Sequence, residues 1–168
     1  MKEEIRRVAV IAGGIRDLAA SIARRLAREG FDLAIIDQDR KSMVHAATRI
    51  GEITGRNILT ITADIGVEGL MSAALHRVTR SLERIDLIVV YGGRDTSEAG
   101  FLHCQKYALP QMEEQGSGLI LQIDPETGRL LRYRNVTESE SKTITDMPLE
   151  PLSDIKTFNN IMNLIKEL

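Results

Sequence analysis

Gly13, Gly14, Asp17, Asp37 and Asp64 are the residues of this chain whose types and spacing could do chemistry. The two glycines follow the apolar run Arg7–Ala12 and make a turn that lets backbone approach a ligand closely. An amphipathic segment comes next, then a second apolar run ending in Asp37. An acid about 20 residues past such a turn is where a dinucleotide-binding βαβ unit contacts a ribose. A helix that starts at the turn offers free N–H groups and the positive end of its dipole to a phosphate. Asp17 brings a carboxylate to that same place. Two like charges about 4 Å apart repel by about 4 kcal/mol at an effective dielectric near 20, and losing half of that weakens binding more than tenfold. The side chain can instead cap the helix, stabilising it by about 1 kcal/mol. Capping is the reading we favour, with Arg16 beside it to offset part of the charge.

Other chemistry finds no support in the spacing. His45, His76 and His103 fall on separate predicted helices with no acid or cysteine at ligand spacing, so no metal site is expected. His103 and Cys104 are adjacent and point about 100° apart on a helix, which does not make a nucleophile pair. Cys104 is the sole cysteine, which rules out an intrachain disulfide and a zinc motif. There is no phosphate-loop lysine, no nucleophile elbow and no internal repeat.

The elements that must position these residues follow from periodicity. The chain has 168 residues, 43% hydrophobic and 27% charged, the proportions of one globular domain with a full core. Its net charge of -2 gives no electrostatic footprint for nucleic acid or an anionic membrane. Arg24, Arg25 and Arg28 read as the solvated face of one helix. No apolar run approaches the roughly 20 residues of a membrane span. The charged start Met-Lys-Glu-Glu-Ile does not resemble a signal peptide, so a cytoplasmic location is expected.

Strands are predicted at Arg7–Ala12, Asp32–Ile36, Asn57–Thr62, Leu87–Val90 and Leu119–Asp124. Helices are predicted from Asp17 to Gly30 and at Arg40–Thr54, Val67–Leu82 and Phe101–Gln115, the last kinked or shortened by Pro110. This alternation implies right-handed crossovers. The expected fold is α/β, a Rossmann-like three-layer αβα arrangement around a five-stranded parallel sheet of order 3-2-1-4-5. Past the turn signal Asp124–Gly128, Arg129–Asn135 is expected to return as an antiparallel edge hairpin. Thr137–Thr145 reads as a polar mobile loop. Ser153–Lys166 reads as an amphipathic helix with Ile155, Phe158, Ile161, Met162 and Ile165 on its apolar stripe, packed on its own sheet or on a neighbouring subunit. Residues 1–136 would thus form the Rossmann-like domain and 137–168 a linker and terminal helix.

From Arg7 to Asp124 the chain resembles the short-chain dehydrogenase/reductases. The resemblance rests on VAVIAGG, the strand end IID, TADI after the third strand, RIDLIVV, and ALPQMEEQGSGLILQI leading into the fifth strand. It implies a single-domain enzyme that moves hydride between NAD(P) and an alcohol or carbonyl. In the family pattern Thr-Gly-x-x-x-Gly-x-Gly, Gly13 keeps the first glycine, Asp17 replaces the middle one and Ala19 the last. Gly14, Arg16 and Leu18 complete the turn. The resemblance further implies that Asp37 meets the adenosine ribose, favouring NAD over NADP, and that Asp64 and Ile65 lie beside the adenine. The family's Asn-Asn-Ala-Gly becomes Val90-Tyr91-Gly92-Gly93, where Tyr91 either enters the cofactor space or packs in the core.

The family's catalytic groups are Asn, Ser, Tyr and Lys. Asp124-Pro125 stands where the serine is expected, and no Tyr-x-x-x-Lys occurs in the sequence. The segment between Gly93 and Phe101 is short, and beyond Gly128 the family's later strands and substrate lid are expected to be missing. No residue is therefore assigned a catalytic role. The leading expectation is a non-catalytic family member serving as a binding, regulatory or scaffolding subunit, with NAD binding weakened or lost. It would form a homo-oligomer, a homodimer on the Phe101–Gln115 helix, or pair with a paralogous subunit. The alternative is an NAD(P)-dependent oxidoreductase that keeps the dinucleotide, with Tyr107 or Tyr133 and Lys106 or Lys142 as improvised groups. A phosphoacceptor receiver domain using Asp64 is disfavoured, because Ala12-Gly13 and Asp124-Pro125 replace the acids and lysine it needs.

Overall fold

β1 (Val8–Ala12) is buried along its whole length and lies at the centre of the sheet. Val8, Val10 and Ala12 face one apolar cluster while Ala9 and Ile11 face another, the period-2 alternation of a strand covered on both sides. The computed structural model describes residues 5–15, 17–92, 94–126, 130–136, 142–143, 159 and 162–163. At Asp17, Arg94, Lys142 and Thr143 it describes the backbone alone.

The chain continues through α1 (Asp17–Arg28), β2 (Asp32–Asp37), α2 (Arg40–Thr54), β3 (Ile58–Thr62), α3 (Glu68–Leu82), β4 (Leu87–Tyr91), α4 (Arg94–Gln115) and β5 (Leu119–Ile123). These five strands are parallel in the order β3-β2-β1-β4-β5, as the alternation predicts. α1 and α2 cover one face, burying Ile22, Leu26, Met43 and Ile50. α3 and α4 cover the other, burying Met71, Leu75, Val78, Phe101 and Met112. Local chemistry sets the helix ends. Asp39 caps α2 by accepting from Ser42 N at 3.0 Å and Ser42 Oγ at 2.6 Å, and Gly55 ends it at φ 68°.

β6 (Leu130–Asn135) returns antiparallel on β5, with Leu119 opposite Asn135, so the expected edge hairpin forms. Two expectations are corrected. The fourth helix, expected from Phe101, begins at Arg94 and runs through Pro110 to Gln115. Its first turns are held by tertiary contacts, with Ser97 fully buried and accepting from Gln122 Nε2 at 3.1 Å. Within the expected polar loop, Lys142–Thr143 forms a short strand, β7, antiparallel to β6. The predicted terminal helix lies mostly outside the described residues. Asn159, Met162 and Asn163 are helical, and Met162 is 2% exposed in the same cluster as Leu119, Leu121, Ile123 and Leu130.

Asp86 ties the start of the sheet together. Its carboxylate accepts from Val8 N at 2.8 Å and from Arg84 Nε at 2.9 Å, while its backbone bonds β1 and β5. A buried acid needs such partners, because an unpaired charge there would cost several kcal/mol.

Candidate functional site

The glycine turn is built as the sequence requires. Gly13 (φ 79°) and Gly14 (φ 65°) lie in the left-handed region, and Gly13 N donates to Ile36 O at 2.7 Å. A Cβ on Gly13 would overlap the Tyr91 carbonyl oxygen, so no other residue fits. The turn opens into the crevice between the C-terminal ends of β1 and β4. There the strand order reverses, and open α/β sheets bind their ligands at that point.

Gly13, Gly14, Asp37, Asp64, Ile65 and Gly92 all follow or end strands at this one edge of the sheet. Their side chains are largely committed to the fold. Asp37 is 9% exposed and accepts from Ile15 N at 3.0 Å and from Asp39 N at 3.3 Å. The acid predicted to meet a ribose thus clamps the glycine turn to the end of β2. Asp64 accepts from Gly66 N at 2.8 Å, a tight turn of its own loop. Ile65 is 2% exposed, wedged between Gly13 and Gly100, where a Cβ would come 2.8 Å from its Cδ1. The early start of α4 brings Gly100 and Thr96 against this loop. Leu18 is half-buried on α1. Arg16 and Gly93 lie outside the described residues, as does the side chain of Asp17, whose backbone opens α1.

Tyr91 is half-buried at the end of β4. Its ring lies against Gly14, whose Cβ would sit 3.1 Å from Tyr91 Cδ1, and packs on the α1-side cluster. Its hydroxyl donates to Pro125 O at 3.5 Å. The side chain therefore spans from the glycine turn to the turn after β5 while packing on the edge of the α1-side core.

Just after β5, Asp124 Oδ1 accepts from Glu126 N at 2.9 Å in a tight local turn. Tyr107 and Lys106 meet at neither the glycine turn nor Asp124. Both donate to Glu68 Oε1, at 2.7 and 2.5 Å, on the exposed side of α3 and α4. The Lys106 hydrogen bond, then that of Tyr107, holds the Glu68 carboxyl below its usual range, and Glu68 in turn raises Lys106. Tyr133 packs on the α1-side cluster from β6. His103 Nδ1 lies 2.9 Å from Ile65 O. Among the described residues no cluster of three or more His, Cys, Asp or Glu could hold a metal, and no helix is long and apolar enough to cross a membrane.

One polar network escaped the sequence reading. Buried Gln122 accepts from Arg132 Nε at 2.5 Å while donating to Ser97. The Arg132 guanidinium stacks 4.3 Å from the Phe101 ring centre. It joins β5, β6 and α4 directly beside the turn after β5. The signal was a glutamine inside the otherwise apolar run LILQI.

The sheet order and the glycine turn at its switch point define a Rossmann-type protein. The chain belongs to the short chain dehydrogenase family, whose model matches residues 7–146. It is similar to the short-chain dehydrogenase/reductase eriH of Hericium erinaceus, 28% identical over 130 residues, covering 65% of this chain and 52% of that protein. Among solved structures, levodione reductase superposes with a TM-score of 0.65 at 26% identity, over 70% of this chain and 53% of that one. The 3-ketoacyl-(acyl-carrier-protein) reductase from Brucella melitensis, complexed with NADH, shares the fold at a TM-score of 0.63 and 21% identity, over 70% and 56%. The chain spans about half the length of the curated relatives it matches.

Proposed function

We propose that this chain is a non-catalytic member of the short chain dehydrogenase family, working as a binding, regulatory or scaffolding subunit with weakened dinucleotide binding. The observation that carries this reading is Tyr91. Its ring rests on Gly14 and its hydroxyl reaches Pro125, in the crevice where a pyrophosphate would approach the turn. Asp124-Pro125 at the end of β5 supports it, since a carboxylate in a turn cannot polarise a carbonyl as a serine hydroxyl does. Assembly is supported by Val67, Leu70, Leu102 and Tyr107, large apolar side chains exposed on α3, α4 and the loop before α3. The expected partner is a second copy or a paralogous subunit.

Asp37 favours a second reading, an NAD(P)-dependent oxidoreductase with a preference for NAD. Its two bonds use half of the roughly four acceptor sites of a carboxylate, leaving capacity for ribose hydroxyls. Calorimetry with NADH and NADPH on wild type, Tyr91→Ala and Asp17→Gly separates the two. The non-catalytic reading predicts that Tyr91→Ala binds NADH at least tenfold tighter than wild type. Micromolar binding by the wild type, unchanged in the variant, would favour the oxidoreductase.

A further inference from the structure

The cleft between α1 and α2, lined by Ile15 at its inner end, has a volume of about 410 Å³. That lies within the roughly 300–1,000 Å³ range of small-molecule sites. We propose that it binds an amphipathic monoanion, an alkyl or aryl carboxylate, through an apolar floor of Ile15 and Ile50, an apolar lip at Ile53 and a cationic rim of Arg24 and Arg49, with His45 beside them.

The floor and rim are separated as such a ligand needs. Ile15 and Ile50 are each 3% exposed and anchored in the core, while Ile53 is 49% exposed and lies open at the lip. Among the described residues no carboxylate lines the cleft. The nearby Asp39 is occupied in capping α2 through Ser42. Arg24 makes one long bond, to Ser21 Oγ at 3.5 Å, and keeps the rest of its donor fork for another acceptor. An arginine fork matches a carboxylate bidentately, and an apolar floor selects a chain over a bare inorganic ion. Ile15 links this cleft to the glycine turn, because its side chain forms the floor while its N–H is held by Asp37.

The test is an amide NMR titration of the full chain with decanoate, decanol and decylammonium. Decanoate is expected to shift the amides of Ile15, Ala20, Ala46 and Ile50 saturably, and an Arg24→Ala/Arg49→Ala double variant to weaken it at least tenfold, the worth of a charge-assisted contact. Arg49 is exposed and Arg24 half-buried on the polar side of α1, so the variant is expected to keep its fold, which the remaining amide positions verify. A decanoate Kd weaker than about 1 mM, equal binding of decanol or decylammonium, or an unchanged Kd in the double variant would each overturn the proposal.

Discussion

Replacing Asp37 with alanine tests whether this carboxylate belongs to the fold or waits for a ribose. In the structure it holds Ile15 N at 3.0 Å in a buried bond and Asp39 N at 3.3 Å in a half-buried one. Alanine leaves the Ile15 N–H without an acceptor, and a buried unpaired donor costs about 1–3 kcal/mol. Water takes over at the Asp39 N–H, so little is lost there. The expected loss is about 2 kcal/mol, and for a chain of this size each kcal/mol lowers Tm by about 2–4 °C. Tm should therefore fall by about 4–8 °C, with asparagine, which keeps one acceptor oxygen, in between. Circular-dichroism melts at pH 7 give the shift, and a urea titration with an unchanged m-value confirms that it is stability. A Tm for Asp37→Ala within error of wild type would refute the clamp and leave the acid free for a ligand.

Three further predictions rest on separate contacts. Gly13→Ala forces a side chain onto the Tyr91 carbonyl at φ 79° and should cost about 3 kcal/mol in urea unfolding, whereas Gly69→Ala, in α3 with open space around it, should gain up to about 1 kcal/mol. Cys104 is buried in the α3–α4 cluster and burial pushes its thiol up, so it should resist iodoacetamide at pH 8 in the native state and react fully in denaturant. The Glu68 carboxyl is lowered in the fold, chiefly by its hydrogen bond from Lys106. Its contribution is present above the unfolded pKa and lost as pH falls through the lower folded one, so any Tm advantage of wild type over Glu68→Gln at pH 7 should vanish toward acid.

The sheet was legible because buried parallel strands leave an unmistakable trace. VAVIA, DLAIID, LIVVY and LILQI are short runs of apolar or β-branched residues with glycines or acids at their ends. The first turns of α4 were not legible. RDTSEAG has no helical apolar stripe, and what makes it helical is tertiary: Ser97 bonded to Gln122 and Gly100 pressed on Ile65. β7 is too short to leave a period. At the site, the spacing of Gly13, Asp37 and Asp64 located the crevice but not the use of the acids. A carboxylate facing a ribose and one clamping a turn have the same sequence signature, and the bond to Ile15 N that makes Asp37 a clamp is visible only in the fold. The role of Tyr91 was open for the same reason, since a rotamer is not written in residue order.

The most direct test of the proposed weakening of dinucleotide binding is an amide NMR titration of the wild-type chain with NADH. The account predicts no saturable shifts at Gly13, Gly14, Asp37 or Asp64 below about 1 mM ligand. Saturable micromolar shifts at those amides, with Tyr91 displaced from Gly14, would contradict it and make the chain a working dinucleotide binder.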